Sequence, residues 1–217
     1  MKRRLVKKLD LRKQFKHLYK PSAKKVEVVD VPRFQFVMID GTIEAGYGPS
    51  DSPTFQEAMQ AIYGAAYTLK FMSKQRSQDP IDYPVMASEG LWWTMDGAFN
   101  FERQDNWAYT LMVMQPEHIT PEMLQEALAQ LRRKRGDQPV FSQLRLEHFH
   151  EGLSVQIMHV GPYSEEPATI AKMHAFAREN GYTLRGKHHE IYLGDPRRAK
   201  PENLKTVLRH PVQKTRE

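Results

Sequence analysis

The feature that most constrains the fold of this chain is an order of hydrophobic periods that occurs twice. "KVEVVDVPRFQFVMID" alternates through Val26 and Val28, is interrupted at Pro32 and resumes at Phe34, Phe36 and Met38, as extended chain with one buried face does. After the glycine-rich loop "GTIEAGYGPSDSP", Phe55, Met59, Ile62, Ala66 and Leu69 share one helical face. This helix starts either at Thr54, which has Glu57 at capping-box spacing, or at Ser52 before Pro53. Two extended runs follow, "YPVMASEGLWWTM" and "WAYTLMVM". The polar stretch "DGAFNFERQDN" between them reads as a hairpin connection.

Residues 26–115 thus form a β-α-β-β half-module. Thr120 and Pro121 open a connecting helix within residues 116–139, with Met123, Ala127, Leu128 and Leu131 on one stripe and an end at Gly136. The order then recurs over residues 140–213. "LRLEHFHEGLSVQIMHVG" is extended, and Ser164 to Asn180 is helical, with Ile170, Met173 and Ala177 inward and Gly181 just past its end. "YTLRGKHHEIYLG" and "LKTVLRHPV" supply the last strands. The expected fold is α+β: two fused half-modules with pseudo-twofold symmetry, antiparallel sheets with helices packed on them, and a central ligand cleft at the junction. A short amphipathic helix over residues 10–20 precedes them, capped by Asp10 and closed by Pro21.

Composition narrows the partners. With 40% hydrophobic and 27% charged residues the chain has a globular balance. The net charge of +6 is scattered over "MKRRLVKK", "LRRKRG" and "DPRRAK" without interleaved aromatics, so direct DNA binding is not expected. No signal peptide or membrane span is present in the sequence, and the lack of cysteine agrees with a reducing compartment, so the cytoplasm is the default.

Several segments together resemble the GyrI-like (gyrase-inhibitor-like) small-molecule-binding domains. They are "LYKPSAKKVEVVDVPRFQFVMIDG", "EGLWW", "HVGPYSEE" and "HHEIYLGDPRR", spread over nearly the whole chain. The resemblance implies a pocket at the pseudo-twofold junction. It also implies a likeness to stand-alone members that hydrolyse the cyclopropane of DNA-alkylating antibiotics. Glu190 falls on the family's pocket glutamate and Tyr192 on its accompanying tyrosine. Trp92 and Trp93 match its aromatic pair, and Tyr163 the tyrosine of its "GPY" turn. Unlike the regulators of the family, this sequence has no DNA-binding segment before the domain.

Residues i and i+2 of a strand share a face, so Glu190 and Tyr192 project together. An ionised Glu190 would offset a planar cation held against indole faces. As a catalyst, the same carboxylate would take a proton from water attacking a strained ring, with the Tyr192 hydroxyl on the substrate carbonyl. Trp92 and Trp93 point to opposite faces of one strand, and Trp93 is taken as the pocket wall. Glu89 is either a turn residue or a second polar group at the cleft. His148, His150, His188 and His189 match no strong zinc spacing and read as polar surface, so neither metal nor cofactor is expected. The partner is then a hydrophobic or cationic aromatic small molecule. A purely sequestering or sensing protein and a protein-interaction module acting on gyrase or a regulator are the alternatives.

Overall fold

The computed structural model describes residues 5–95, 106–196 and 198–215; most of the "DGAFNFERQDN" connection lies outside them. Its main strands are β2 (Glu27–Thr42), β4 (Ser88–Thr94), β5 (Trp107–Gln115), β6 (Arg145–Val160), β8 (His188–Tyr192) and β9 (Lys205–Lys214). Short strands β1 (Lys7–Lys8) and β3 (Ile81–Asp82) pair in parallel, and β7 (Tyr182–Leu184) extends the main sheet at β9. The sheet order is β6-β2-β5-β4-β8-β9, and β6 pairs again with β9, so six antiparallel strands close into a barrel. Closure removes the free edges of the two half-sheets.

The repeat is explicit in the pairing. β2 and β4 flank β5 as β6 and β8 flank β9, and the halves join through β2–β6 and β4–β8. Pro32, which the sequence pattern marks as an interruption, leaves β2 continuous. It stands between the paired Val31 and Arg33 and precedes Gln35, where pairing with β5 begins. Its missing N–H is therefore lost from one neighbour only.

The long helix α3 (Pro53–Gln75) starts at the second of the two predicted caps: the Ser52 hydroxyl accepts from Phe55 N at 3.1 Å and Pro53 is the first helical residue. Helix α4 (Pro121–Arg135) is capped by Thr120 and ends at Gly136 with φ +84°. Helix α5 (Glu166–Glu179) follows a 3₁₀ turn over Tyr163–Glu165, and Gly181 takes φ +73° beyond it. Both ends match the sequence reading.

The N-terminal segment departs from it. Instead of one helix over residues 10–20 there are two single turns, α1 (Leu11–Gln14) and α2 (Lys16–Tyr19), broken at Phe15. Phe15 leaves helical geometry at ψ 37° and its ring meets Phe34 edge-on at 4.6 Å. Packing on the barrel thereby overrides a helix too short to be stable by itself.

Candidate functional site

The junction of the two halves is the β4–β8 ladder, with Gly90 opposite Glu190 and Trp92 opposite His188. Cross-strand partners point to one side, so one face collects Gly90, Trp92, His188, Glu190 and Tyr192. Trp92 is 2% exposed. It stacks on Phe55 at 5.5 Å and tilts against Trp107 and Tyr109. Its Nε1 donates to the Tyr192 hydroxyl at 2.8 Å, and that hydroxyl donates to Glu190 Oε2 at 2.7 Å. The other oxygen, Oε1, accepts from His188 Nε2 at 3.1 Å. Burial, then the charge of Glu190, push the Tyr192 pKa well above its usual value, so the phenol stays protonated.

A second carboxyl lies beside this chain of bonds. Glu166, the first residue of α5, is buried, and its Oε1 has no hydrogen-bond partner among the described residues. Burial, then the charge of Glu190, raise its pKa to about 9. At neutral pH Glu166 therefore carries a proton. Tyr163 closes the group from outside: its ring meets that of Tyr192 edge-on at 6.0 Å, and it is 37% exposed.

Three imidazoles stand on the far side of Glu190. His188 of β8 is joined by His174 of α5 and His210 of β9, and one ring nitrogen from each lies within 4.8 Å of the others. Burial, then the neighbouring charge of His188, lowers the pKa of His174 to about 4; burial and the same charge lower that of His210 to about 3.

The opposite face of the ladder holds a separate buried network. Glu89 accepts from the Tyr19 hydroxyl at 2.6 Å and meets His189 Nε2 at 3.0 Å. His189 Nδ1 lies 3.0 Å from Glu151, which accepts from Arg209 at 3.1 Å. Burial opposes charging of His189, but Glu151 and Glu89 outweigh it and raise its pKa to about 9. Burial likewise opposes ionisation of Glu151, yet His189 and Arg209 hold its pKa at about 2. Paired charges of both signs thus lie on this side, beside a void of about 10 Å³ that Leu18, Val31, Phe34 and Phe149 also line. Arg209 also donates to Leu18 O and Gln156 to His17 O, at 2.8 Å each, which pins the N-terminal turns to the barrel. The network therefore serves assembly.

A GyrI-like small molecule binding domain matches residues 24–213. The chain belongs to the GyrI-like family. A conserved protein of unassigned role from Listeria innocua is 39% identical to it, with a TM-score of 0.86, over 94% of this chain and 100% of that one. A Listeria innocua protein described as a hydrolase is also 39% identical, with a TM-score of 0.81, over the same shares of the two chains. The C-terminal domain of EcmrR shares the fold at 11% identity and a TM-score of 0.53, over 88% of this chain and 98% of that one. No curated protein sequence matches at a significant level. The domain is of a small-molecule-binding type, and no helix among the described residues is long and apolar enough to cross a membrane.

Within this GyrI-like chain the predicted site residues separate by face. Glu190, Tyr192 and Tyr163 come together, and the indole that joins them is Trp92. Trp93, expected to be the pocket wall, points the other way and carries the Lys187 ammonium 3.2 Å above its ring. Glu89 is neither a turn residue nor a neighbour of Glu190; it lies inside β4, 1% exposed, facing His189. The reading of the histidines as polar surface holds for the exposed His148 and His150 but fails for His188 and His189, which are 2% and 1% exposed. Each face of β8 is covered by other side chains: His188 lies against His174 of α5 and His210 of β9, and His189 between Glu89 and Glu151. Glu166 was not singled out from the sequence; a glutamate before proline at a helix start reads as an ordinary first-turn acid.

Proposed function

We propose that this protein binds a flat, hydrophobic aromatic molecule over Tyr163, Tyr192 and Glu190 and opens a strained ring in it by adding water. The observation that carries the reading is the pairing of Glu190, fixed at 2.7 Å by Tyr192 and 3.1 Å by His188, with a buried Glu166 whose pKa is raised to about 9. One carboxyl is positioned as a base and its neighbour holds a proton to give.

In this scheme the water oxygen bonds to a cyclopropane carbon and the proton it loses goes to Glu190. The ring C–C bond breaks, and its electron pair is drawn onto a conjugated carbonyl oxygen, which takes the proton of Glu166. Return of a proton from Glu190 to Glu166 restores the starting state. Tyr192 has a different role from the one read off the sequence. Its single hydroxyl hydrogen is engaged by Glu190, so it orients the base and does not polarise the carbonyl. Tyr163, the most exposed ring of the group, is where a flat substrate enters, by stacking or by displacing it from Tyr192.

The 39% identity to a protein described as a hydrolase supports the enzymatic side of the reading. Incubation with a cyclopropane-bearing DNA-alkylating compound should give a product heavier by one water. Glu190→Gln should abolish its formation while quenching of tryptophan fluorescence by the compound persists. Binding without turnover by the parent protein would leave sequestration as the function, and failure of such compounds to bind would remove the proposal.

A further inference from the structure

We propose that His174, His188 and His210 form a binding site for one divalent transition-metal ion of the zinc class. Helix α5 and strands β8 and β9 bring one ring nitrogen from each residue within 4.8 Å of the others. His174 Nε2 and His210 Nδ1 are 3.3 Å apart and share a hydrogen bond that an ion would replace. That separation equals the edge of a tetrahedron of about 3.3–3.4 Å around an ion with metal–nitrogen distances of about 2.0–2.1 Å. The rings of His174 and His210 stand at 84° and those of His188 and His210 at 42°. The ring planes are thus inclined to one another and do not stack face to face.

The surroundings match the chemistry of such a site. Imidazole suits zinc, cobalt and nickel, and three such ligands leave a fourth position for water. His188 presents Nε2 to Glu190 at 3.1 Å, the carboxylate–histidine arrangement that orients metal-binding imidazoles and makes them more basic. His188 is buried, whereas His174 is half-buried on α5, which leaves an approach for the ion from the helix side. The spacings of 14 and 22 residues between the three histidines fit no short zinc motif. The site comes into being only when the second half-module folds.

The assignment does not depend on the hydrolytic reading, because ion binding is measured without substrate. The full chain, stripped with a chelator, is titrated with Co²⁺ as a spectroscopic probe and with Zn²⁺ by calorimetry. One equivalent per chain is expected, with the intense visible absorption of four-coordinate Co²⁺. His174→Ala should weaken binding at least tenfold and His174→Ala/His210→Ala should eliminate it, while His148→Ala leaves it unchanged. Circular dichroism checks that each variant is folded. Because the parent protein alone reports the Co²⁺ spectrum, misfolding of the double variant does not rescue the idea. Absence of stoichiometric binding by the parent, a weak six-coordinate spectrum, or retention of binding in the folded double variant would each overturn it.

Discussion

Trp92 and Tyr192 lie two residues beyond the facing pair Gly90 and Glu190, in β4 and β8 respectively, and the indole of one donates to the phenol of the other at 2.8 Å. Equivalent positions of the two half-modules thus meet across the pseudo-twofold. The bond satisfies the only donor of a fully buried indole, and it leaves the Tyr192 hydrogen free for Glu190.

The two indoles should therefore differ sharply on truncation. Trp92 is enclosed by Phe55, Trp107 and Tyr109, and Trp92→Ala should lower stability by about 3–5 kcal/mol. Trp93 is half-buried and its described ring contact is with Lys187, so Trp93→Ala should cost about 1 kcal/mol, the scale of a partly exposed cation–π contact. Urea unfolding of both variants checks this, and equal losses would contradict the assignment of faces.

The same pair shows what was legible in the sequence. A period of 3.6 located α3, α4 and α5, because each buries one face on the barrel, and a period of two located β2 and β5, although every residue of β5 is buried. The i, i+2 rule put Glu190 and Tyr192 together. It also placed Trp92 and Trp93 on opposite faces, but which face joins Glu190 depends on the Gly90–Glu190 register between strands 100 residues apart. The burial of His188 and His189 was hidden for a related reason: one face of β8 is covered by α5 and the other by residues of β4 and β6, all distant in sequence. Glu166 gave no signal because its proton affinity is set by burial and by a carboxylate 24 positions away. Local pattern cannot encode either cause.

Glu166 should make stability fall as pH rises. Its carboxyl keeps a proton in the fold up to about 9 but releases it near 4.5 when unfolded. The stabilisation is full below pH 4.5 and is lost as pH climbs through 9. A glutamine there has no proton to lose. Glu166→Gln should match the parent near pH 4 and become the more stable protein by on the order of a few kcal/mol at pH 9. Parallel stability curves from pH 4 to 9 would show that the carboxyl is not so perturbed.

Glu151 predicts the opposite slope at the acid end. His189 and Arg209 hold it at about 2, against 4.5 in the unfolded chain, so its contribution is complete above pH 4.5 and disappears as pH drops through 2. Glu151→Gln leaves the buried Arg209 guanidinium facing an amide and should cost about 3–5 kcal/mol at pH 7. The gap between variant and parent should shrink steadily in urea titrations from pH 5 to pH 2. A constant gap would mean that the loss is one of packing and not of charge.

Gly90 tests whether the junction is held by shape. A methyl group at this position would lie 2.7 Å from Trp92 Nε1, closer than that atom tolerates, and in a tight contact of 3.1 Å with the Tyr192 hydroxyl. Both rings are locked by their neighbours, so Gly90→Ala should force the indole and phenol apart, break their hydrogen bond and lower stability by about 1–3 kcal/mol. Gly64 of α3 provides the contrast. There the added methyl would approach the Arg135 guanidinium at 3.2 Å, the end of a flexible side chain that can give way. Gly64→Ala should therefore be neutral or stabilising by about 0.5–1 kcal/mol, because alanine loses less backbone freedom in a helix than glycine. Thermal unfolding of the two variants separates the cases: a tolerated Gly90→Ala would mean that the contact between Trp92 and Tyr192 is loose, and with it the fixed placement of Glu190.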